Sequence, residues 1–248
     1  MEDLKELLQK YSVLFQYMDE VLDVKLKQQE DFSILGKKAI GIQKNNSAGC
    51  IVLPNVNEGY VFWLPSNDWA DFAFNSIFFL SDFYDDKYRQ KRGKVHSGFL
   101  LLWEDVKHNA LASLRAMDPH REKTYTIFGH SLGAALGTLM AATLKENMYK
   151  VKEVLTVGSP RIGNAPFARW IDSMFPVTNL VNRYDIVPSV PPPGQYRHSG
   201  DMIYLYDGAF HKSPGWKRDL FLPELLFGVK DHYWASYKDA LKKCYKDC

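Results

Sequence analysis

One stretch of this chain limits the possible folds more than any other: residues 124–137, TYTIFGHSLGAALG. It begins with an apolar run at 125–128, passes through a Gly-His-Ser turn and leads into a pattern of small residues at 134–144. The apolar run predicts a buried central strand, and the small residues predict a helix packed closely against it. A strand followed by a sharp turn and a helix is typical of α/β folds with a mainly parallel sheet.

The rest of the chain repeats this alternation of strands and helices. Short apolar runs bounded by turn residues predict further strands, and apolar residues at helical spacing predict helices between them. The predicted strands lie at 39–43, 49–53, 59–64, 151–157 and 180–184, and the predicted helices end near 114 and span about 167–174. We therefore expect one domain, 1–248, with helices on both faces of a central sheet.

The beginning of the chain has a pattern of its own. Apolar residues from Leu4 to Leu22 recur at helical spacing, which predicts an amphipathic helix over about 2–29 that packs on the core. A secretory signal would show a basic start and an unbroken apolar segment, and neither is present. No apolar run reaches the roughly 18 residues of a membrane span, so we expect no transmembrane segment.

Charge and cysteine content narrow the class of protein further. The chain has 31 Lys and Arg residues against 29 Asp and Glu residues, a formal net charge of +2, which gives no electrostatic reason to expect a nucleic-acid partner. Its three cysteines, Cys50, Cys244 and Cys248, fit neither a zinc-binding spacing nor an even-numbered disulfide framework. A reduced, cytoplasmic setting is therefore expected.

The turn in the opening stretch contains the pattern G-x-S-x-G, from Gly129 to Gly133. The pattern alone arises by chance in roughly one chain in ten of this size. Its position between a predicted strand and a predicted helix indicates a catalytic serine. A serine there projects above the sheet, and the helix N-terminus favours developing negative charge. Ser131 is the predicted nucleophile, and the backbone N–H of Leu132 is the predicted first donor to an oxyanion.

A serine nucleophile needs a histidine base and a carboxylate that orients the base. In this strand–turn–helix arrangement the order along the chain is Ser, then Asp or Glu, then His, which leaves His198, His211 and His232 as bases. His198 and His211 lie in what look like surface turns, whereas His232 precedes a final helix. Asp185 follows the predicted strand at 180–184, so Asp185 and His232 are the predicted partners of Ser131.

These residues resemble the class 3 lipases, typified by the fungal secreted triacylglycerol lipases with an α/β-hydrolase fold. Besides GHSLG, four blocks in the same order carry the resemblance: KVHSGF at 94–99, VGSPRIGN at 157–164, NRYDIVP at 182–188 and the Asp231-His232 pair with Tyr237 beyond it. The resemblance implies an ester hydrolase with Ser131 as nucleophile, His232 as general base and then acid, and Asp185 as the orienting carboxylate. The acyl-enzyme chemistry of such residues needs no metal and no organic cofactor, so none is expected.

The chain departs from the family where the second oxyanion donor should lie. The family has F-R-G-[ST] before an Asp-Trp pair, whereas this chain has FWLPSNDW at 62–69. Pro65 falls at the donor position and has no N–H. Ser66 is the predicted substitute, through its N–H or its hydroxyl.

The same region carries the lid in the fungal lipases, and its aromatic residues have two open interpretations. Trp69, Phe72 and Phe78 are the predicted substrate contacts, with Phe74, Phe79, Phe83 and Tyr84 as further candidates for an acyl-chain groove. The alternative is that these aromatics fill the core beside the sheet.

Three functions remain open from the sequence. The first is a lipase or carboxylesterase that takes an acyl ester or lipid substrate and makes transient contact with a lipid interface. The second is a phospholipase A1-type acyl hydrolase with the same three residues. The third is a catalytically weak binding module with a hydrolase fold, because the second oxyanion donor is atypical.

Overall fold

The computed structural model of the chain describes residues 2–24, 30–65, 79–183, 185–206, 208–214 and 228–246. The strands are β1 (Asp31–Ile34), β2 (Lys37–Lys44), β3 (Ser47–Val52), β4 (Glu58–Trp63), β5 (Leu80–Tyr84), β6 (Lys91–His96), β7 (Thr124–His130), β8 (Lys150–Val157), β9 (Val177–Asn182), β10 (Asp201–Tyr206) and β11 (Ala209–Pro214). The α-helices are α1 (Glu2–Asp23), α2 (Ser97–Met117), α3 (Leu132–Glu146), α4 (Ala165–Met174) and α5 (Trp234–Lys246).

Within the described ranges, nine strands form one sheet in the order β1-β2-β3-β4-β7-β8-β9-β10-β11. Its centre, from β4 through β7, β8 and β9 to β10, is parallel. The two edges are antiparallel, with β1 to β3 on one side and β11 on the other. The parallel centre confirms the predicted α/β class. The strands β1, β10 and β11 of this sheet were not predicted.

Alternation along the central strands explains why helices lie on both faces of the sheet. Val61 and Ile127 point to one face and join a core with α2, α3 and α4. Phe62 and Phe128, the next residue along each strand, point to the other face and join a core with α1 and α5. Each central strand is thus buried on both sides, which is why its sequence is an almost continuous apolar run.

Helix α1 covers the second face of the sheet, as its helical spacing predicts. Met18 and Val21 are fully buried in that core, and the Tyr11 hydroxyl donates to the Thr178 carbonyl at 3.0 Å. The helix ends at Asp23, short of the predicted 29, and residues 25–29 lie outside the described ranges. No helix in the described part of the chain is both long and apolar enough to cross a bilayer.

The parallel centre places three turns side by side. Because β7, β8 and β9 run in the same direction, their carboxyl ends meet at one edge of the sheet. Ser131 follows β7, Gly158 follows β8, and Asp185 lies three residues beyond the end of β9. Residues far apart in sequence therefore meet at this edge.

Candidate active site

Ser131 occupies a strained turn between β7 and α3. Its backbone has φ 59° and ψ −126°, a region that non-glycine residues rarely adopt. The turn is held by a hydrogen bond from the Ser131 N–H to the Val157 carbonyl, 2.9 Å long, and by the start of α3, for which Ser131 is the N-cap. The side chain therefore projects from a fixed position at the carboxyl edge of the sheet.

The two glycines of the G-x-S-x-G pattern are required by close backbone approach. A Cβ at Gly129 would lie 2.3 Å from the Gly133 carbonyl oxygen, and one at Gly133 would lie 2.3 Å from the Trp63 carbonyl oxygen. Both distances are far below a permitted contact, so no other residue fits without moving backbone. This close approach explains why both positions of the pattern are glycine.

Asp185 is held by the segment that follows β9. Its N–H donates to the Asn182 carbonyl at 2.8 Å, and its Oδ1 accepts from the Val187 N–H at 2.9 Å. The next part of the loop is anchored by Arg161, a buried residue whose guanidinium donates to the Pro191 carbonyl at 2.8 Å. Backbone contacts thus fix the carboxylate from both directions along the chain.

His232 completes a chain of hydrogen bonds from the short 3₁₀ turn Lys230–His232 that precedes α5. Its Nε2 lies 2.8 Å from Ser131 Oγ, and its Nδ1 lies 3.0 and 2.9 Å from Oδ1 and Oδ2 of Asp185. A proton on Nδ1 facing the carboxylate leaves the Nε2 lone pair directed at the serine hydroxyl. The three side chains, each at most 1% exposed, are therefore arranged for proton transfer from Ser131 to His232.

Gly158 lies directly beneath the Asp185–His232 pair. It has φ +58°, and a Cβ on it would lie 2.8 Å from Asp185 Oδ2 and 3.0 Å from His232 Nδ1. A side chain at this position would occupy the space of the hydrogen bond between the two residues. The glycine of the block at 157–164 is thus part of the site, a role that its sequence pattern alone does not reveal.

Two further side chains contact the three residues, and neither was assigned a role from the sequence. The Tyr237 hydroxyl on α5 donates to Asp185 Oδ2 at 2.6 Å. His130, immediately before Ser131, packs its ring against His232 with 4.9 Å between the ring centroids. The burial of Tyr237 could have been predicted from the sequence. Tyr237, Leu241 and Cys244 are spaced so that they lie on one face of a helix, and all three are buried in the same core.

The other two histidines considered as bases lie elsewhere. His198 is buried, not in a surface turn, and its Nε2 lies 2.8 Å from the Pro188 carbonyl. His211 is part of β11, where it pairs with Tyr204. Neither is placed beside Ser131 in the contacts that the structure gives.

The predicted first oxyanion donor, the Leu132 N–H, lies beside Ser131. Leu132 is the first residue of α3, so its N–H has no acceptor within the helix and remains available beside Ser131. Across from it, the end of β4 passes over the first turn of α3, with the Leu64 carbonyl oxygen 2.6 Å from the position of a Cβ on Gly133. Pro65, next in the chain, has no N–H to offer.

Four residues predicted for this region, Ser66, Trp69, Phe72 and Phe78, lie outside the described ranges, as does Phe74. The neighbouring aromatics divide between the two interpretations. Phe83 is buried against Phe167 and Trp170 and belongs to the core. Phe79 and Tyr84 are 64% and 49% exposed, so they do not fill the core.

Comparison with known proteins gives a consistent set of similarities. Residues 60–195 match the family described as lipase (class 3). The chain is 32% identical over 130 residues to the secreted mono- and diacylglycerol lipase LIP1 of Malassezia globosa, and 35% identical over 114 residues to phospholipase A1-II 1 of Oryza sativa. Its fold matches the triacylglyceride lipase of Rhizomucor miehei with a TM-score of 0.68 at 19% identity, covering 87% of this chain and 86% of that one.

The matched stretches cover different shares of the proteins compared. They take in 49% of this chain and 42% of the Malassezia lipase, and 43% of this chain and 29% of the rice phospholipase. The chain thus spans less than half the length of either relative over the matched region. The likeness to the Rhizomucor structure extends over most of both chains and supports the α/β-hydrolase fold.

Proposed function

Since the chain belongs to the class 3 lipase family, we propose that it is a serine ester hydrolase that cleaves acyl glycerols or related lipid esters through an acyl-enzyme on Ser131. One observation carries the proposal: the hydrogen-bond chain from Ser131 through His232 to Asp185. His232 lies within 3.0 Å of both Ser131 and Asp185, and the three residues are carried by three different turns. A binding module has no chemical need for this arrangement.

The first half of the reaction transfers the acyl group to the enzyme. Ser131 Oγ attacks the ester carbonyl carbon, and its proton moves to His232 Nε2 as the Oγ–C bond forms. Asp185 holds the Nδ1 proton of the resulting imidazolium. His232 then gives the Nε2 proton to the leaving alcohol oxygen as the original C–O bond breaks, which leaves an acyl ester on Ser131.

The second half releases the acid. A water molecule attacks the acyl-enzyme carbon while His232 Nε2 takes one of its protons, and that proton returns to Ser131 Oγ as the acyl bond breaks. Both halves pass through an oxyanion. The Leu132 N–H is the proposed first donor and Ser66 the proposed second, and loss of one such donor typically costs about 10²–10³ in rate.

The test uses p-nitrophenyl esters of graded acyl length with wild-type protein and the Ser131→Ala variant. Wild type should hydrolyse at least the short esters, and the variant should not. A fluorophosphonate should label wild type at Ser131 and leave the variant unlabelled. Absence of both turnover and labelling in wild type would contradict the hydrolase proposal.

Ser66 can be tested separately, because Ser66→Gly keeps the backbone N–H and removes the hydroxyl alone. Unchanged activity in Ser66→Gly excludes a role for the hydroxyl. A loss of 10-fold or more, on the order of one oxyanion contact, assigns the donor to the hydroxyl.

A second candidate function, phospholipase A1-type hydrolysis, is supported by the 35% identity to the rice phospholipase A1. Diacylglycerol emulsions and phosphatidylcholine vesicles distinguish the two substrate classes when product fatty acid is measured for wild type and Ser131→Ala.

Transient contact with the lipid surface is proposed for either substrate. Tyr233, next to His232 and 52% exposed, is an apolar side chain available for such contact.

A further inference from the structure

His130, the variable residue of the G-x-S-x-G pattern, makes two contacts with His232. Its ring packs against the His232 ring with 4.9 Å between centroids and 35° between planes. Its Nε2 lies 3.0 Å from the His232 backbone carbonyl oxygen. Both contacts are buried, since His130 is 3% exposed. One side chain therefore contacts both the ring and the backbone of the predicted base.

The hydrogen-bond pattern fixes the proton on His130. A carbonyl oxygen only accepts, so Nε2 must carry a hydrogen and donate it. Nδ1 is buried and has no hydrogen-bond partner among the described residues, so a second proton there would be an unsatisfied donor. Burial, with the neighbouring His232 as the second cause, lowers the pKa of His130 to about 3. His130 is thus a neutral ring throughout the working pH range.

A neutral ring beside His232 has a consequence for catalysis. His232 becomes a cation each time it takes the Ser131 proton, and an aromatic face within about 6 Å attracts a cation. A charged neighbour at this distance would instead repel it. The geometry points to His130 as a positioning residue that stabilises the His232 imidazolium through its ring and fixes the His232 backbone through its Nε2–H. This inference rests on the proposed hydrolase function.

The other groups near His232 contact different parts of the site. Asp185 faces its Nδ1, Ser131 faces its Nε2, and the Tyr237 hydroxyl on α5 donates to Oδ2 of Asp185. Lys230 and Asp231 flank it on its own 3₁₀ turn. Trp234 lies against the His130 ring at 5.5 Å, and it holds that ring in place from α5. Among these groups, His130 is the one that presents a ring to His232 at 4.9 Å.

Two substitutions separate the two contacts. His130→Gln keeps an N–H near the position of Nε2 and removes the ring, so the acid limb of the pH profile of kcat/KM should move about 0.5 unit to lower pH, because the imidazolium loses a stabilising face. His130→Phe keeps the ring and removes the donor, so its acid limb should stay near that of wild type while kcat falls about 5-fold.

His198→Gln is the matched control, because it removes another buried histidine whose Nε2 meets a carbonyl oxygen. It should lower thermal stability without moving the acid limb. A His130→Gln profile that coincides with that of wild type overturns the ring contribution. An unchanged kcat in His130→Phe overturns the backbone contribution.

A measurement on unmodified protein keeps the inference testable if a variant fails to fold. In a ¹⁵N NMR titration, His130 should remain a neutral ring protonated at Nε2 from pH 5 to pH 8, and protonation at Nδ1 in that range overturns the inference. Failure of the proposed function is distinct from either result, because it appears as absent turnover and absent fluorophosphonate labelling in wild type.

Discussion

Tyr237 donates its phenolic hydrogen to Asp185 Oδ2 at 2.6 Å, the same oxygen that lies 2.9 Å from His232 Nδ1. Both residues are fully buried, so the carboxylate is satisfied by protein donors alone on this side. A carboxylate that must remain ionised in an apolar surrounding depends on such donors. Helix α5 therefore supports the candidate site, although it lies after the last of the three proposed catalytic residues.

The first prediction concerns this hydroxyl. Tyr237→Phe removes the donor and leaves the ring, so the Asp185 carboxylate loses a charge-assisted hydrogen bond of about 1.5–3 kcal/mol. We expect kcat for p-nitrophenyl ester hydrolysis to fall about 10-fold, because a less well held carboxylate orients His232 less strictly. Steady-state kinetics and thermal unfolding of the same preparation measure the two effects.

Tyr125→Phe provides a matched control for Tyr237→Phe. Tyr125 is also fully buried, and its hydroxyl donates to Asp118 Oδ2 at 3.2 Å, at the opposite end of β7 from Ser131. The control should lose stability and keep the wild-type kcat. Equal loss of kcat in the two variants would mean that Tyr237 acts through stability alone.

The second prediction concerns the carboxylate itself. Asp185→Asn preserves size and the acceptor for the Val187 N–H, but its amide no longer holds the Nδ1 proton of His232. In serine hydrolases with this arrangement the corresponding loss in kcat is about 10⁴. We expect a fall of at least about 10³ with an unchanged fold by circular dichroism. Activity within 10-fold of wild type would contradict the role assigned to Asp185.

The position of Ser131 could be predicted from the sequence because neighbouring residues alone determine the conformation of its turn. The apolar run of β7, the two glycines and the small residues of α3 each restrict the backbone independently, and all three favour the same strand–turn–helix. The positions of Asp185 and His232 could be predicted from chain order and from their places beside β9 and α5. The distances between Ser131, His232 and Asp185 could not be predicted, since they depend on how distant segments of the chain pack together.

The parts that the sequence did not predict depend on distant contacts. β11, with the sequence AFHKSP, has no alternating apolar pattern, and its strand form comes from pairing with β10. The roles of Gly158 and His130 arise from what lies opposite them in space. Helix α1 ends at Asp23, whereas the sequence predicted a helix to about residue 29.

The third prediction tests the space beneath the Asp185–His232 pair. Gly158→Ala adds a methyl group 2.8 Å from Asp185 Oδ2, so the pair must separate or shift. Displacement of a catalytic group by about 1 Å can cost 10²-fold in rate, and we expect a loss of this order in kcat/KM.

Gly36→Ala is the control for backbone strain in Gly158→Ala. Gly36 has φ +71°, close to the +58° of Gly158, but a Cβ there meets nothing within 4 Å. Both variants should lose about 1 kcal/mol of stability because alanine is strained at positive φ. Gly36→Ala should retain wild-type kcat/KM, and equal activity of the two variants would show that the contact with the pair is unimportant.

The last prediction concerns the pH dependence of the free energy of unfolding that arises from Glu146, the last residue of α3. The pKa of Glu146 is raised from 4.5 to about 7, chiefly by burial and in smaller part by the carboxylates of Asp85 and Asp86, while the Asp86 N–H and Arg92 oppose the shift. The folded protein therefore holds this proton up to about pH 7, whereas the unfolded chain releases it near pH 4.5. The folded state binds more protons across this interval, so the free energy of unfolding must fall as the pH rises through it.

Glu146→Gln removes this titration. The variant should match wild type at pH 5 and exceed it at pH 8 by on the order of 1 kcal/mol, as measured by urea unfolding at both pH values. Glu122→Gln, at an exposed carboxylate, serves as the control and should shift stability by the same amount at both pH values. If Glu146→Gln follows the wild-type dependence on pH, the Glu146 carboxyl is already ionised in the folded protein at pH 5 and its burial has been offset by the Asp86 N–H and Arg92.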